Sequence, residues 1–600
     1  QKTEPPAPGP LQRVLLLSAP EKVLRRRAEV RKLRRRVLPN KADDEFLGGF
    51  VRKQFDQEGP LQRYWVETYQ MPYAYRPFFQ PPSPHIDPAA LLSSAERKYL
   101  VKSFITDPLS ETLGPGGTVD PRHGGANMDP RQLLTDGIIN EGLLHLHSQM
   151  SAIHLTNGFV YPWRFRGWRH YYLVSWCRCD TELVRHHFGP KIGSYFEFVE
   201  TYITFLFIAS VLGIVAEISG PPNGPGKHGF WKFVQPIFGV CMSMWGTFFC
   251  IFWRRRCAWL SHIWGNGWIE DGEEMRGAGS LQSGSSQVRP EFALQWRQSF
   301  EQAKPARQEE TLKMLKTLLR APNTQHFDDR ALTCDIMRFD EACYLSDFVQ
   351  LYRFVLSYLA SGCFILLASG ATYGALAANQ LLGLNGKTAG YAVTGLTTSV
   401  LVPVLNVIHY QVVIKTNNYQ LFREDSEREK DFFDRLFVFN LFNTYNSLIW
   451  IAFVERNMEQ VRVQVFFLLL SSIFINNMLE FYWSHAVKQL KKMGHGNTNS
   501  IRQMLRYILV GEIEDIVINP MDPIKTALEH VTDEMTRDAA FELVDEAIEL
   551  VIQYGLIMMF TVAFPLAPVL ALVNVHIEKR LDAYKLVKLM QSPEPRMVVG

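Results

Sequence analysis

The 600-residue chain is long enough for several domains, and its 63 Lys and Arg against 60 Asp and Glu leave a net charge of only +3. This balance excludes a general electrostatic attraction to nucleic acid. Hydrophobic residues make up 47% of the chain, and its eight cysteines are scattered without a second pair of ligands. We therefore expect neither a zinc site nor a disulfide framework.

Residues 1–190 predict a small cytosolic α/β domain, because Pro-rich and Gly-rich joints separate short mixed apolar runs. The stretch from Lys22 to Arg36 carries nine Lys or Arg residues. Two interpretations of this stretch stay open: a solvated basic helix, or a contact with anionic lipid headgroups.

The chain becomes strongly apolar from residue 198 onward, in eight segments long enough to span, or nearly span, a bilayer. The break between the last two falls at Phe564-Pro565-Leu566-Ala567-Pro568, where two prolines predict a helix end and a reversal. We predict a mainly α-helical, polytopic membrane domain over residues 191–600, with spans at 198–218, 233–253, 350–377, 389–414, 432–454, 464–487, 542–564 and 566–585.

Basic residues beside the spans predict the orientation of the chain. Arg254 to Arg256 follow the second span, Lys488 follows the sixth, and Lys579 and Arg580 lie at the end of the eighth. These positions agree with one another when the N-terminal domain and both ends of this chain are cytosolic.

Five acidic residues lie inside or at the edge of the last three spans. A carboxylate at the centre of a membrane helix costs roughly 3 kcal/mol, so such residues are candidates for a functional site. The orientation places all five at a similar depth, nearer the cytosol, and their helical spacing places each pair on one face. They are Glu480, Glu546, Glu549, Glu578 and Asp582, and Asn476 and Asn574 extend the same faces.

Clustered carboxylates at low dielectric must protonate, pair with cations or bind a metal. We expect no lysine or arginine partner inside these spans. An oxygen-only ligand set disfavours zinc and copper and suits a hard cation, and five carboxylates suit two Ca²⁺ ions. The alternative is that these are ordinary residues of the membrane interface.

The fourth and fifth spans carry many polar side chains, which predict a wet groove or pore. The alternative is hydrogen bonding between helices of the bundle, which uses the same residue types. The candidate lining residues are Thr394, Thr398, Ser399, Asn406, Asn440, Asn443 and Tyr445.

Several stretches resemble the anoctamin (transmembrane 16) family, over roughly residues 185–600. The most specific stretch covers the seventh and eighth spans, and Arg289-Pro290-Glu291-Phe292 is similar to a short motif that follows the family's second span. The longer stretches are GPKIGSYFEFVETYITFLF, CMSMWGTFFCIFWRRRCAWLSHIWG, NTYNSLIWIAFV and VIQYGLIMMFTVAFPLAPVLALVNVHIEKRLDAYKLVKLMQSPEPR.

The resemblance implies a homodimer with ten spans per subunit, a ferredoxin-like N-terminal domain and a hydrophilic groove in each subunit. The last two spans would then lie beyond Gly600. The resemblance also implies a ligand set for two Ca²⁺ per subunit, with Asn574 beside it. That set consists of Asn476, Glu480, Glu546, Glu549, Glu578 and Asp582.

Two positions depart from the channel members that this chain resembles. Residues 464–487 contain no glycine hinge, and a basic pore residue of anion channels aligns with the neutral Asn440. We therefore predict a Ca²⁺-activated phospholipid scramblase with accompanying non-selective ion conductance, in the plasma membrane or the endoplasmic reticulum. The alternatives are a Ca²⁺-activated ion channel without scrambling, and a membrane-contact tether. Neither an enzyme nor a nucleic-acid-binding protein is expected.

Overall fold

The computed structural model of the chain divides it into two compact units, Gln1–Pro130 and Arg131–Gly600. The residues that the structure describes are 92–106, 181–219, 228–264, 347–381, 388–420, 425–477 and 543–592, with Phe422, Arg537, 65–67 and short pieces of 17–36.

In the first unit, strand β1 (Arg34–Arg36) pairs antiparallel with strand β2 (Trp65–Glu67), and helix α1 (Ser94–Thr106) follows. The buried Arg27 guanidinium donates hydrogen bonds to both the hydroxyl and the carbonyl oxygen of Ser103, at 2.9 and 2.8 Å. These are the elements described there, so the ferredoxin-like topology and the domain boundary near residue 190 stay predictions.

The second unit is helical in its described part. Its helices are α2 (Thr181–Phe188), α3 (Pro190–Ile218), α4 (His228–Trp264), α5 (Asp347–Leu381), α6 (Thr388–Gln420), α7 (Asp425–Ile449), α8 (Met458–Ser471), α9 (Leu543–Phe560) and α10 (Ala567–Tyr584). Short π-helical segments extend α7, α8 and α10 over Trp450–Glu455, Ser472–Asn476 and Lys585–Leu589, respectively. Helices α3 to α10 correspond in order to the eight predicted spans.

Six of the described helices are long and apolar enough to cross a membrane. They correspond to the first six predicted spans. Helices α9 and α10 have 18 residues each, and they contain three and four charged residues, respectively. Length and composition therefore do not by themselves identify α9 and α10 as spans, and the total of eight stays a prediction.

Local sequence explains several helix ends. Gly189 has a φ of 102°, in the left-handed region that favours glycine, and Pro190 then begins α3. The Asn457 side chain accepts a hydrogen bond from the Gln460 amide and caps α8. The break predicted at the two prolines is confirmed, because α9 ends at Phe560 and α10 begins at Ala567.

The outer faces of these helices expose large apolar side chains, as expected for surfaces that contact lipid. Examples are Phe207 on α3, Leu366 on α5 and Phe453 after α7, which are 61%, 73% and 71% exposed. In water, contiguous apolar surface of this kind would be an aggregation hazard. With the six apolar helices, it identifies an integral, multi-pass membrane protein.

Candidate metal centre

The predicted acidic residues of α9 and α10 come together inside the helix bundle. Glu546, Glu578 and Asp582 are all buried, and each offers a carboxylate oxygen within 4.8 Å of the others. Helical spacing explains this arrangement, because Glu578 and Asp582 are one turn apart on the face of α10 that meets α9. The cluster divides into two adjoining half-sites.

The first, here called the lysine half-site, consists of Glu546, Asp582, Lys585 and Tyr195. The Lys585 ammonium lies 2.8 Å from Glu546 Oε1 and 2.7 Å from Asp582 Oδ1. The Tyr195 hydroxyl of α3 donates to Asp582 Oδ2 at 2.7 Å. Lys585 is only 1% exposed, so its charge lies among these carboxylates and away from solvent.

The second, here called the asparagine half-site, consists of Glu549, Glu578, Asn574 and Ser472. The Ser472 hydroxyl donates to Glu549 Oε1 at 2.8 Å. The Asn574 amide donates to Glu578 Oε2 at 3.2 Å and to Ser472 Oγ at 3.3 Å. The described donors to the carboxylates of this half-site are therefore neutral.

The π-helical segment Ser472–Asn476 brings α8 to the asparagine half-site. Single π turns inside α-helices are frequent at functional sites, because the extra residue rotates the following side chains. Here Asn476 donates to Glu549 Oε1 at 3.4 Å, and Asn477 donates to Asn574 Oδ1 at 3.0 Å. Side chains from α8, α9 and α10 thus meet at one place.

The donor atoms suit a hard cation. Carboxylate, amide and hydroxyl oxygens converge without a cysteine, and Ca²⁺ takes six to eight such oxygens in flexible geometry. Four carboxylates, of Glu546, Glu549, Glu578 and Asp582, are available in the described residues. Carboxylates this close together are stabilised by positive charge, and among the described contacts of these four Lys585 supplies one unit.

The expectation that no lysine partner lies inside the spans was wrong, since Lys585 contacts Glu546 and Asp582. The sequence held a signal for it, because Glu578, Asp582 and Lys585 follow an i, i+4, i+7 spacing on one helix face. Nothing local pointed to Tyr195, which precedes Asp582 by 387 residues. The predicted ligand Glu480 lies outside the described residues.

Three predicted lining residues of α6, Thr394, Thr398 and Ser399, are buried, and Asn406 is half-buried. Thr394 and Thr398 donate their hydroxyl hydrogen bonds to carbonyl oxygens of their own helix, at Gly390 and Thr394. Ser399 likewise donates to Leu396. These hydroxyls are satisfied within α6, as is common for Ser and Thr in membrane helices.

Helices α6 and α8 meet along one line, here called the α6–α8 seam, formed by Tyr391, Gly395 and Ser399 opposite Asn457, Phe467 and Ser471. The Asn457 amide donates to the Tyr391 hydroxyl at 2.9 Å, and the Ser471 hydroxyl donates to the Ser399 carbonyl oxygen at 2.7 Å. Between them, a Cβ atom on Gly395 would lie 2.7 Å from the Phe467 ring. The three α6 residues are one turn apart and share a face.

The remaining lining candidates connect α6 and α9 to α7. Asn443 donates to Asn406 Oδ1 at 2.7 Å, and the Tyr445 hydroxyl donates to the Ile552 carbonyl oxygen of α9 at 2.5 Å. Asn440 is half-buried on α7. Asn406, Asn443 and Tyr445 thus participate in contacts between helices, while their predicted role in a groove stays a prediction.

Comparisons with known proteins agree on one family. A family profile described as "Anoctamin: Calcium-activated chloride channel" matches residues 184–599. Anoctamin-4 of Mus musculus is 23% identical over 484 residues, which cover 69% of this chain and 44% of that protein. Anoctamin-10 of Homo sapiens is 22% identical over 522 residues, covering 85% and 66%. Anoctamin-1 of Homo sapiens is 24% identical over 469 residues, covering 69% and 46%. The chain therefore spans about half the length of two of these relatives, and about two thirds of the other.

Proposed function

The chain belongs to the anoctamin family, and on that premise we propose that it is a Ca²⁺-activated phospholipid scramblase with accompanying non-selective ion conductance. It acts as a homodimer in the plasma membrane or endoplasmic reticulum, with both ends of this chain cytosolic. Each subunit holds two Ca²⁺ through Glu546, Glu549, Glu578 and Asp582, together with ligands from α8.

One observation carries this proposal: two adjacent residues, the last of α8 and the first of its π-helical extension, contact the α6–α8 seam and the metal centre, respectively. Ser471 donates to Ser399 in the α6–α8 seam, and Ser472 donates to Glu549 in the asparagine half-site. A displacement of α8 toward α9 and α10 therefore acts directly on the seam. The π turn that begins at Ser472 gives the backbone a place to make that adjustment.

The chain's own residues explain why the position of α8 depends on charge. The cation supplies positive charge that holds the carboxylates of α9 and α10 together with the oxygen ligands of α8. Before binding, Ser472 and Asn476 attach this end of α8 to Glu549 by neutral hydrogen bonds. A stronger attachment of α8 at the site shifts the population toward the state in which α8 has moved from α6.

The chemistry along the seam favours lipid headgroups as the transported species. Separation of α8 from α6 would uncover the hydroxyls of Thr394, Thr398 and Ser399, which are buried now. A polar strip open to the side would let headgroups cross the bilayer while their acyl chains stay in lipid. Ions accompany the headgroups because the strip carries hydroxyls, with no charged side chain among these three residues.

A Ca²⁺-activated ion channel is the second candidate, and the α6–α8 seam also favours it. If the contacts of Tyr391 with Asn457 and of Ser399 with Ser471 persist during activity, the conducting path is enclosed by protein. Headgroups attached to acyl chains could not follow such a path.

Reconstitution of the full-length protein in liposomes distinguishes these candidates. Fluorescent lipids in both leaflets and a reducing agent outside the vesicle would measure flipping, while an entrapped ion indicator would measure conductance. Flipping and ion flux that both rise with micromolar Ca²⁺ are the expected result. Ion flux without flipping would replace the scramblase by the channel. Clustering of liposomes, with neither activity, would indicate a tether.

A further inference from the structure

We infer that Lys585 is a tethered counter-cation, which competes with the second Ca²⁺ for the carboxylates of the lysine half-site. Its ammonium contacts one oxygen of Glu546 and one of Asp582, at 2.8 and 2.7 Å. These are hydrogen-bonding distances to the same atoms that a cation would use. The inference rests on the proposed Ca²⁺ site.

The ammonium and the metal cannot keep the same positions together. Ca²⁺ lies 2.3–2.6 Å from its oxygen ligands, so an ion on Glu546 Oε1 and Asp582 Oδ1 would be within about 5 Å of the Lys585 nitrogen. Two cations at that distance repel strongly where solvent is excluded. Lys585 and Asp582 are 1% and 0% exposed, so water screens this repulsion poorly. Binding in the lysine half-site therefore requires the ammonium to move away.

The described contacts of the asparagine half-site are with neutral groups. Among the described residues, the donors to Glu549 and Glu578 are the Ser472 hydroxyl and the side-chain amides of Asn476 and Asn574. A cation displaces or reorients these groups without repulsion between like charges. Because a cation in the lysine half-site must displace the Lys585 ammonium, we expect that half-site to be the weaker of the two and to fill second.

The position of Lys585 also explains how displacement reaches the rest of the chain. It is the first residue of the π-helical segment Lys585–Leu589, in which Leu586, Val587 and Leu589 are also buried. The Arg537 guanidinium donates to the Val587 carbonyl oxygen at 3.1 Å, so this segment is fastened to residues before α9. Movement of the ammonium thus changes a helix end with contacts outside the metal centre.

Direct Ca²⁺ binding to the purified full-length protein tests the inference. Equilibrium dialysis with radioactive Ca²⁺ should give two steps for the wild type. Lys585→Met keeps the length of the side chain and removes its charge, so the dissociation constant of the weaker step should fall at least tenfold. The melting temperature without Ca²⁺ should fall as well, because Glu546 and Asp582 lose their cation.

Two variants separate charge from shape and position. Lys585→Arg keeps a cation, so the dissociation constant of its weaker Ca²⁺-binding step should stay within threefold of the wild-type value. Lys588→Met removes a half-buried lysine three residues further along the same segment. The dissociation constant of its weaker Ca²⁺-binding step should also stay within threefold of the wild-type value. A folded Lys585→Met protein whose weaker step is unchanged, or has a higher dissociation constant, would overturn the inference while leaving the Ca²⁺ site intact.

A second measurement uses the wild type, in case Lys585→Met does not fold. Reaction with a small amine-labelling reagent, followed by mass spectrometry, should modify Lys585 several-fold faster at saturating Ca²⁺ than in chelator. Equal labelling in the two conditions would refute displacement. The dialysis tests the proposed Ca²⁺ site separately, because a wild-type protein that binds no Ca²⁺ would refute the site itself.

Discussion

Helix α10 contacts α3 through buried charges, whereas α6 contacts α8 through neutral groups and a glycine. In the first contact, Lys579 donates to Glu200 at 2.9 Å, and both side chains are buried. In the second, single neutral hydrogen bonds flank Gly395. The two contacts therefore differ in the free energy that their separation would cost.

The magnitudes explain which contact is suited to move. Breaking a buried ion pair by removing one partner costs about 3–5 kcal/mol. A neutral hydrogen bond contributes only about 0.5–1.5 kcal/mol. Apolar packing adds to the first contact, because Leu206 of α3 and Ala571 and Val575 of α10 are fully buried. We therefore expect α3 and α10 to form a fixed frame against which α8 moves.

The largest expected effect comes from removing Glu200, which pairs with Lys579 between α3 and α10. Glu200→Leu leaves the Lys579 ammonium buried without its partner, and it should lower the free energy of unfolding by about 3–5 kcal/mol. Thermal melting of the detergent-solubilised protein measures this loss. Replacing both residues, as Glu200→Leu with Lys579→Met, should recover most of it, because two apolar side chains leave no unpaired charge. Equal loss in the single and double variants would contradict the assignment of this pair as a support of the frame.

The next effect is on the metal centre, where the frame and α8 meet. Glu549→Gln removes the carboxylate that Ser472 and Asn476 contact, and it should raise the Ca²⁺ concentration for half-maximal lipid flipping at least tenfold. A tenfold change corresponds to about 1.4 kcal/mol. Glu459→Gln, at the exposed start of α8, is the matched control and should leave the response unchanged. An unaltered response of Glu549→Gln would remove this residue from the ligand set.

The sequence predicted the parts of this comparison that depend on helical spacing. Glu578 and Asp582 on one face of α10 followed from their i, i+4 spacing, and the helix break before α10 followed from Pro565 and Pro568. Such patterns depend on the geometry of the helix itself, so they hold independently of the elements that pack against it. The same spacing included Lys585, and we missed it because we expected the carboxylates to have no basic partner inside the spans.

Other parts depend on tertiary packing, and no local pattern predicted them. The Tyr195 hydroxyl reaches Asp582 because α3 lies against α10, a pairing that no hydrophobic periodicity specifies. The π turn at Ser472–Asn476 has no marker comparable to a glycine hinge. Polar residues of α6 were ambiguous as well, since a hydroxyl can bond its own backbone or line a groove, as Thr394 illustrates.

A glycine substitution in the α6–α8 seam should loosen it without touching the metal centre. A Cβ atom on Gly395 would be 2.7 Å from Phe467 Cδ2, so Gly395→Ala forces α6 or the Phe467 ring to shift. We expect lipid flipping without Ca²⁺ to rise several-fold. Gly374→Ala on α5 is the control, because nothing lies within 4 Å of the Cβ that it adds. Equal flipping by the two variants would mean that the seam is not the barrier.

The smallest expected effect comes from one hydrogen bond of the seam. Ser471→Ala removes the donor to the Ser399 carbonyl oxygen, which stabilises the closed seam by about 0.5–1.5 kcal/mol. The Ca²⁺ concentration for half-maximal flipping should therefore fall about two- to tenfold, while direct Ca²⁺ binding to the closed state changes less. Thr397→Ala is matched to it, because the exposed Thr397 hydroxyl donates only to the Val393 carbonyl oxygen of its own helix. A higher Ca²⁺ requirement in Ser471→Ala would mean that this bond belongs to the open state, and that α8 moves toward α6 on activation.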